Sequence, residues 1–134
     1  MKVLVIANPA AGSGRGRTRT ARLVRALEAR GHAVELFATR AAGDALRRVA
    51  ACEGSVDRIV AAGGDGTLNE VVNGLADPSA TPLAPLALGT ANMLAVALGV
   101  PRDPERLAEV IDRGTVRRID LGCVGTTRFL GVVG

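Results

Sequence analysis

A chain of 134 residues prescribes one domain with a real core, and 48% hydrophobic residues with only 1% aromatic make that core one of Ala, Val, Leu and Ile. Such a core suits a tightly layered α/β protein and excludes a nucleic-acid platform built on stacked rings. The net charge of +4 is almost all arginine, scattered without a basic stripe, so it reads either as genome composition or as a surface favouring anionic ligands or anionic membrane. No apolar run approaches the roughly 18 residues of a membrane-spanning helix, and any membrane contact is expected to be peripheral, at the inner face. Cys52 and Cys123 lie far apart without CxxC spacing. They are expected to be free, buried and reduced, as in cytoplasm. His32, the only histidine, has no partner at metal-ligand spacing.

In chain order, residues 2–7 are an almost unbroken apolar run, the mark of a strand covered on both faces. The run resembles a signal sequence only superficially, because it stops at Asn8-Pro9 with no cleavage pattern after it. A small-residue loop follows, with Asn8, Pro9, Gly12, Ser13, Gly14 and Arg15. Residues 18–30 read as a helix with Leu23, Val24 and Leu27 on one stripe and Gly31 at its end. Residues 33–38 read as a second strand, with Thr39 just past it. Residues 43–53 form a second helix with Leu46, Val49 and Ala50 as its inner face. A third strand, residues 57–62, runs into Gly63-Gly64-Asp65-Gly66-Thr67, and a helix over 68–75 follows at once.

Residues 77–85 carry three prolines and no period, which predicts a loop. Residues 86–88 make a short buried strand that enters Gly89-Thr90-Ala91-Asn92. Residues 93–98 give a helical turn or two. Residues 103–113 form another helix, with Asp103 as cap, Pro104 at its first position and Leu107, Val110 and Ile111 as its apolar stripe. Residues 115–124 and 127–133 read as strands around Gly125-Thr126, a hairpin. The alternation of strand and helix predicts a three-layer α/β/α fold with a mainly parallel sheet.

Ligands of such sheets bind beyond the carboxyl ends of the strands, where the loops 8–17, 63–67 and 89–92 all fall. The loop at 63–67 is the most informative. Strand, glycine turn and helix together present backbone N–H groups to an anion. Three glycines permit positive φ and close approach, and Thr67 can cap the helix or bond a phosphate oxygen. Asp65 is the odd member: a carboxylate among phosphate-binding amides is useful only with a metal ion or a proton transfer. The first loop is neither a Walker A motif nor a full dinucleotide fingerprint, although its amides, Ser13 and its arginines can hold phosphates. Read alone, it is equally a solvated loop. Gly89-Thr90 reads as a second phosphate contact or as an ordinary turn capped by Asn92. Asn69 and Glu70 read as site residues or as helix-terminal polar residues favoured by the dipole. Asp120, between Ile119 and Leu121, is either a costly buried carboxylate with a use or an outward-facing alternate.

Taken together, Gly63-Gly64-Asp65-Gly66-Thr67-Leu68-Asn69-Glu70 resembles the GGDGTxNE signature of the diacylglycerol kinase catalytic domain, shared by sphingosine kinases and bacterial lipid kinases. Asn8-Pro9-Ala10-Ala11-Gly12 is similar to that family's NPxSG-type loop. The segment from Leu88 through Gly89, Thr90 and Asn92 to Ala95 resembles its LGTxNxxA segment. The GGDGT core alone is shared with NAD kinases, whose N-terminal fold is alike. The resemblance implies ATP- and Mg²⁺-dependent phosphoryl transfer to a lipid alcohol. Asn8 to Gly12 and Gly64 to Asn69 would hold phosphates, and Thr39 and Thr90 would contact the nucleotide. Asp65 would serve as catalytic and metal-linked acid, with Asp120 facing the same cleft. Met93 departs from relatives that carry Asp there. The resemblance also implies a second, β-rich domain near where this sequence stops, so the chain is expected to be the nucleotide-binding part, with little kinase activity alone. Exposed strand edges could pair copies into a homodimer. An NAD kinase-like phosphotransferase and a non-catalytic nucleotide-binding module are the alternatives.

Overall fold

The computed structural model describes residues 1–11, 14–52, 54–89, 93–114, 116, 122–124 and 127–129. Its elements are β1 (Lys2–Ala7), α1 (Gly16–Ala29), β2 (Ala33–Ala38), α2 (Asp44–Cys52), β3 (Arg58–Gly63), α3 (Asp65–Gly74), β4 (Leu83–Ala87), α4 (Met93–Leu98), α5 (Pro104–Arg113), β5 (Gly122–Val124) and β6 (Thr127–Phe129). The first four strands form one parallel sheet in the order β2-β1-β3-β4. β5 and β6 pair antiparallel, as the hairpin reading requires.

The apolar runs of β1 and β3 follow from their central place, since a strand covered on both faces has no polar side. Successive side chains alternate between faces. Val3 and Val5 enter a cluster with Leu23 and Leu27 of α1 and Leu107, Ala108 and Ile111 of α5. Leu4 and Ile6 enter another with Ala45 and Val49 of α2 and Leu68 and Val71 of α3. Two helices thus cover each face, which is the α/β/α layering expected. Each fully buried Leu, Ile or Val contributes roughly 1.5–3 kcal/mol of transfer free energy, and the clusters meet only through the sheet.

Several elements differ from the sequence reading. The expected loop at 77–85 yields its last three residues to β4. Pro85 is tolerated there because, among the described residues, β4 has a strand neighbour on one side only. Leu88 N–H donates to the Gly63 carbonyl, so alternation turns the Pro85 nitrogen away from β3. In α2 the buried face is Ala45, Val49 and Cys52, whereas Leu46 is 37% exposed. In α5 Ala108 is buried and Val110 is 43% exposed. In both helices a small alanine makes the close contact that the pattern assigned to a larger neighbour. The Asp103 cap holds: its Oδ2 accepts Arg106 N–H at 3.1 Å, with Pro104 next. Cys52 is buried, as expected, and its thiol donates to the Val49 carbonyl at 3.2 Å. Among the described residues no helix is long and apolar enough to cross a membrane.

Candidate functional site

β1 and β3 are neighbours, yet the helices that follow them lie on opposite faces of the sheet, α1 on one and α3 on the other. The chain therefore diverges above and below the sheet at their carboxyl ends and opens a crevice there, the place where ligands of doubly wound sheets bind. Asn8 N–H donates to the Ala62 carbonyl at 2.9 Å, which carries the β1–β3 pairing one residue past β1 to the floor of that crevice. Asn8 Oδ1 accepts Ala10 N–H at 3.0 Å, so this side chain shapes its own turn. Pro9 follows it, half-buried. Gly14 is at φ +88, and Arg15, exposed, occupies the cap position of α1 without a side-chain cap bond. Gly16 opens α1 two residues earlier than expected, and a Cβ there would collide with the Ala11 carbonyl oxygen. Thr39 reaches the same rim: its N–H donates to the Ala7 carbonyl at 2.8 Å and its hydroxyl at 3.3 Å.

The glycines of 63–67 have different reasons to be glycine, and positive φ is not among them. A Cβ on Gly63 would lie 2.8 Å from Thr67 Cβ, so Gly63 makes room for Thr67. Thr67 is 7% exposed. This replaces the expected capping role: α3 starts at Asp65, Gly64 stands at its cap in extended backbone (φ −95, ψ −166), and no side chain caps it. The helix itself provides no partner for N–H groups of its first turn. Around Gly64 the nearest atom to an added Cβ is Gly89 Cα at 3.8 Å, and around Gly66 there is nothing within 4 Å. Neither backbone conformation nor packing among the described residues requires glycine at these two positions. The 3.8 Å approach also places the Gly89 loop directly beside the motif.

Asp65 is half-buried and lines a small pocket with the Gly63 and Gly64 backbone and the apolar Ala61, Leu68, Pro85 and Ala95. Asn69 presents its carbonyl to Asn73 Nδ2 at 2.8 Å. Glu70 Oε1 accepts Gly43 N–H at 2.7 Å. Since α3 begins at Asp65, Glu70 stands in the second turn, and Asp65 is the acid favoured by the dipole. Gly12, Ser13, Thr90, Asn92 and Asp120 lie outside the described residues, so the structure places the rest of the expected set and says nothing of these five. Among the described residues no group of three or more His, Cys, Asp or Glu could hold a metal ion unaided.

Two features escape the sequence. Arg19 on α1 donates to the Ala87 carbonyl at 2.7 Å and also to the Arg102 carbonyl, pinning the end of β4 just before the Gly89 loop. Burial, then the nearby Arg102 and Arg22 charges, pushes its pKa below the ordinary arginine value. One arginine among several in a helix gives no sign of this. Arg40, after Thr39, is exposed like Arg15 and Arg17, and none of the three has an acidic partner among the described residues. Three guanidinium groups thus stand exposed around the amides of the rim.

Residues 2–124 match the sequence profile of the diacylglycerol kinase catalytic domain. The chain is 40% identical over 135 residues to a diacylglycerol kinase of Bacillus subtilis (strain 168), covering 97% of this chain and 44% of that one. It is 35% identical over 130 residues to a diacylglycerol kinase of Staphylococcus saprophyticus, covering 96% and 43%. The crystal structure of a diacylglycerol kinase from Bacillus anthracis str. Sterne aligns with TM-score 0.85 and 34% identity, over 96% of this chain and 45% of that chain. The chain spans less than half the length of these relatives. On the sequence motifs, the crevice between β1 and β3 and these matches, the chain belongs to the diacylglycerol kinase catalytic domain family.

Proposed function

We propose that residues 1–134 are the nucleotide-binding domain of a lipid kinase, which seats the polyphosphate tail of ATP in the crevice between β1 and β3. Joined to a second, β-rich domain of the kind its longer relatives leave room for, it directs the γ-phosphoryl group to the hydroxyl of diacylglycerol or a related lipid alcohol. The observation that carries this reading is the pair Gly64 and Gly66, which nothing among the described residues requires to be glycine. A ligand that comes within van der Waals reach of the backbone supplies the missing reason. The exposed Arg15, Arg17 and Arg40 add positive charge around the same opening.

Phosphoryl transfer needs alignment and charge neutralisation more than covalent chemistry. The loops after β1, β3 and β4 hold the phosphates, and Thr39 and Thr90 meet the nucleotide. Asp65 is the residue that would hold Mg²⁺, which would supply charge neutralisation at the phosphates. Asp65 would otherwise orient the acceptor hydroxyl, with Asp120 as a second acid toward the cleft. The test is ADP release by the full-length protein against a panel of lipid alcohols and NAD. Turnover with a diacylglycerol-type lipid is expected. Turnover with NAD alone would move the protein to the NAD kinase reading, and ATP binding with no turnover on any acceptor would make it a binding module.

A further inference from the structure

Glu70 reaches out of its own helix to hold another element. Its Oε1 accepts the Gly43 N–H in a half-buried, charge-assisted contact of 2.7 Å. Gly43 sits at φ +89, a backbone state other residues rarely adopt, so its N–H is directed by a turn that only glycine closes comfortably. On the other side of that turn Asp44 Oδ2 accepts Arg40 N–H at 2.8 Å and Ala41 N–H at 3.0 Å. Thr39 then closes on the Ala7 carbonyl at the end of β1. A continuous series of bonds thus runs from α3 through residues 39–44 to the end of β1. One turn beyond Glu70, Gly74 lets α2 and α3 touch backbone to backbone: a Cβ there would lie 2.5 Å from the Leu46 carbonyl oxygen.

We propose that Glu70 is a positioning residue, which ties the turn 40–43 to the motif helix and thereby keeps Thr39 and Arg40 in place at the phosphate-binding rim, without itself touching nucleotide or metal. Its effect on ligand rests on the nucleotide reading above; its hold on the turn does not.

The experiment compares wild type, Glu70→Gln and Glu70→Ala in the whole chain, reading Gly43 amide hydrogen exchange and ATP affinity together. Gln keeps an oxygen acceptor in the same place, so exchange and affinity should both stay within about twofold of wild type. Ala removes it: Gly43 exchange should rise at least about tenfold and ATP should bind about tenfold more weakly. Thr39→Ala should weaken ATP in wild type but add little in Glu70→Ala, because the two share one route. Core amides such as Leu4 and Val60 should keep their protection in every variant compared. Should Glu70→Ala not fold, the wild-type Gly43 amide must still be protected, and Glu70→Gln must still preserve it. The proposal is overturned if Gly43 exchanges freely in wild type. It is overturned equally if Glu70→Gln loses ATP as badly as Glu70→Ala while Gly43 stays protected, since the charge would then be meeting the ligand. If wild type binds no ATP, the nucleotide reading fails, and Gly43 exchange still decides whether Glu70 holds the turn.

Discussion

The two rims of one parallel sheet are built on opposite plans. At the amino-terminal rim the polar groups close on one another. Lys2 N–H donates to Asp57 at 2.8 Å, the Met1 amine meets His32 Nδ1 at 3.0 Å, and Asp112 receives both His32 Nε2 at 2.8 Å and Arg30 at 3.0 Å. At the carboxyl-terminal rim backbone bonds and the Glu70 and Asp44 carboxylates fasten the loops, while the Arg15, Arg17 and Arg40 side chains stay exposed and make no ion pair among the described residues. The lesson is that satisfied polar groups mark an end that serves the fold. An end whose charges and open glycines lack an internal explanation serves something outside it.

Substitutions at each rim test this division. The largest effect belongs to Asp65→Asn in the full-length protein. Turnover should fall by about 10²–10⁴-fold while ATP affinity is kept, read by ADP release and direct binding. Retained turnover would remove Asp65 from the chemistry. Next, Gly63→Ala and Gly66→Ala should diverge although they are three residues apart. Gly63→Ala drives a methyl into Thr67 and should cost about 1–3 kcal/mol in denaturant unfolding. Gly66→Ala meets no atom, lies within a helix and should stabilise the chain by roughly 0.5–1 kcal/mol, while ATP binding weakens at least about tenfold. A stabilised Gly66→Ala with unchanged ATP affinity would deprive the crevice of its main support.

The amino-terminal rim should show the reverse behaviour. The His32 hydrogen bond, then Arg30, holds the Asp112 carboxyl below its ordinary range. A depressed folded-state pKa gives stability that is complete above the unfolded value, about pH 4, and is lost as pH falls through the folded one. Wild type should therefore melt above Asp112→Asn at neutral pH and lose that lead below about pH 4, with ATP affinity equal in both. A change in ATP affinity would show that the rims are not independent. The smallest effect is expected from Arg40→Gln: an unchanged melting temperature and an ATP affinity lowered about threefold, less so at high salt.

The sheet and the candidate site were legible in the sequence to different depths. Continuous apolar runs at Val3–Ala7 and Ile59–Ala62 can be little else than central strands, and small-residue loops after them locate the crevice. The helix stripes were less legible. At Ala45 and Ala108 the packing uses the small residue and leaves Leu46 and Val110 outward, a choice set by interhelix distance that no local pattern records. Pro85 hid β4, because a proline reads as a break until the strand is known to lie at an edge. The GGDGT residues were found for a partly mistaken reason, since their glycines serve clearance and not positive φ. The Glu70–Gly43 and Arg19–Ala87 bonds join residues 27 and 68 positions apart, separations at which local spacing says nothing.

The contact at Gly74 has a consequence for anyone altering this domain. It lies one helical turn below Glu70, on the line where α2 and α3 meet. A methyl group inserted there would act as a wedge at the foot of two levers: it would splay the helices and carry the 40–43 turn away at the top. Loss of ATP affinity should then arise from a residue that no ligand reaches, and no smaller side chain at Leu46 would cure it, because the obstacle there is the backbone carbonyl.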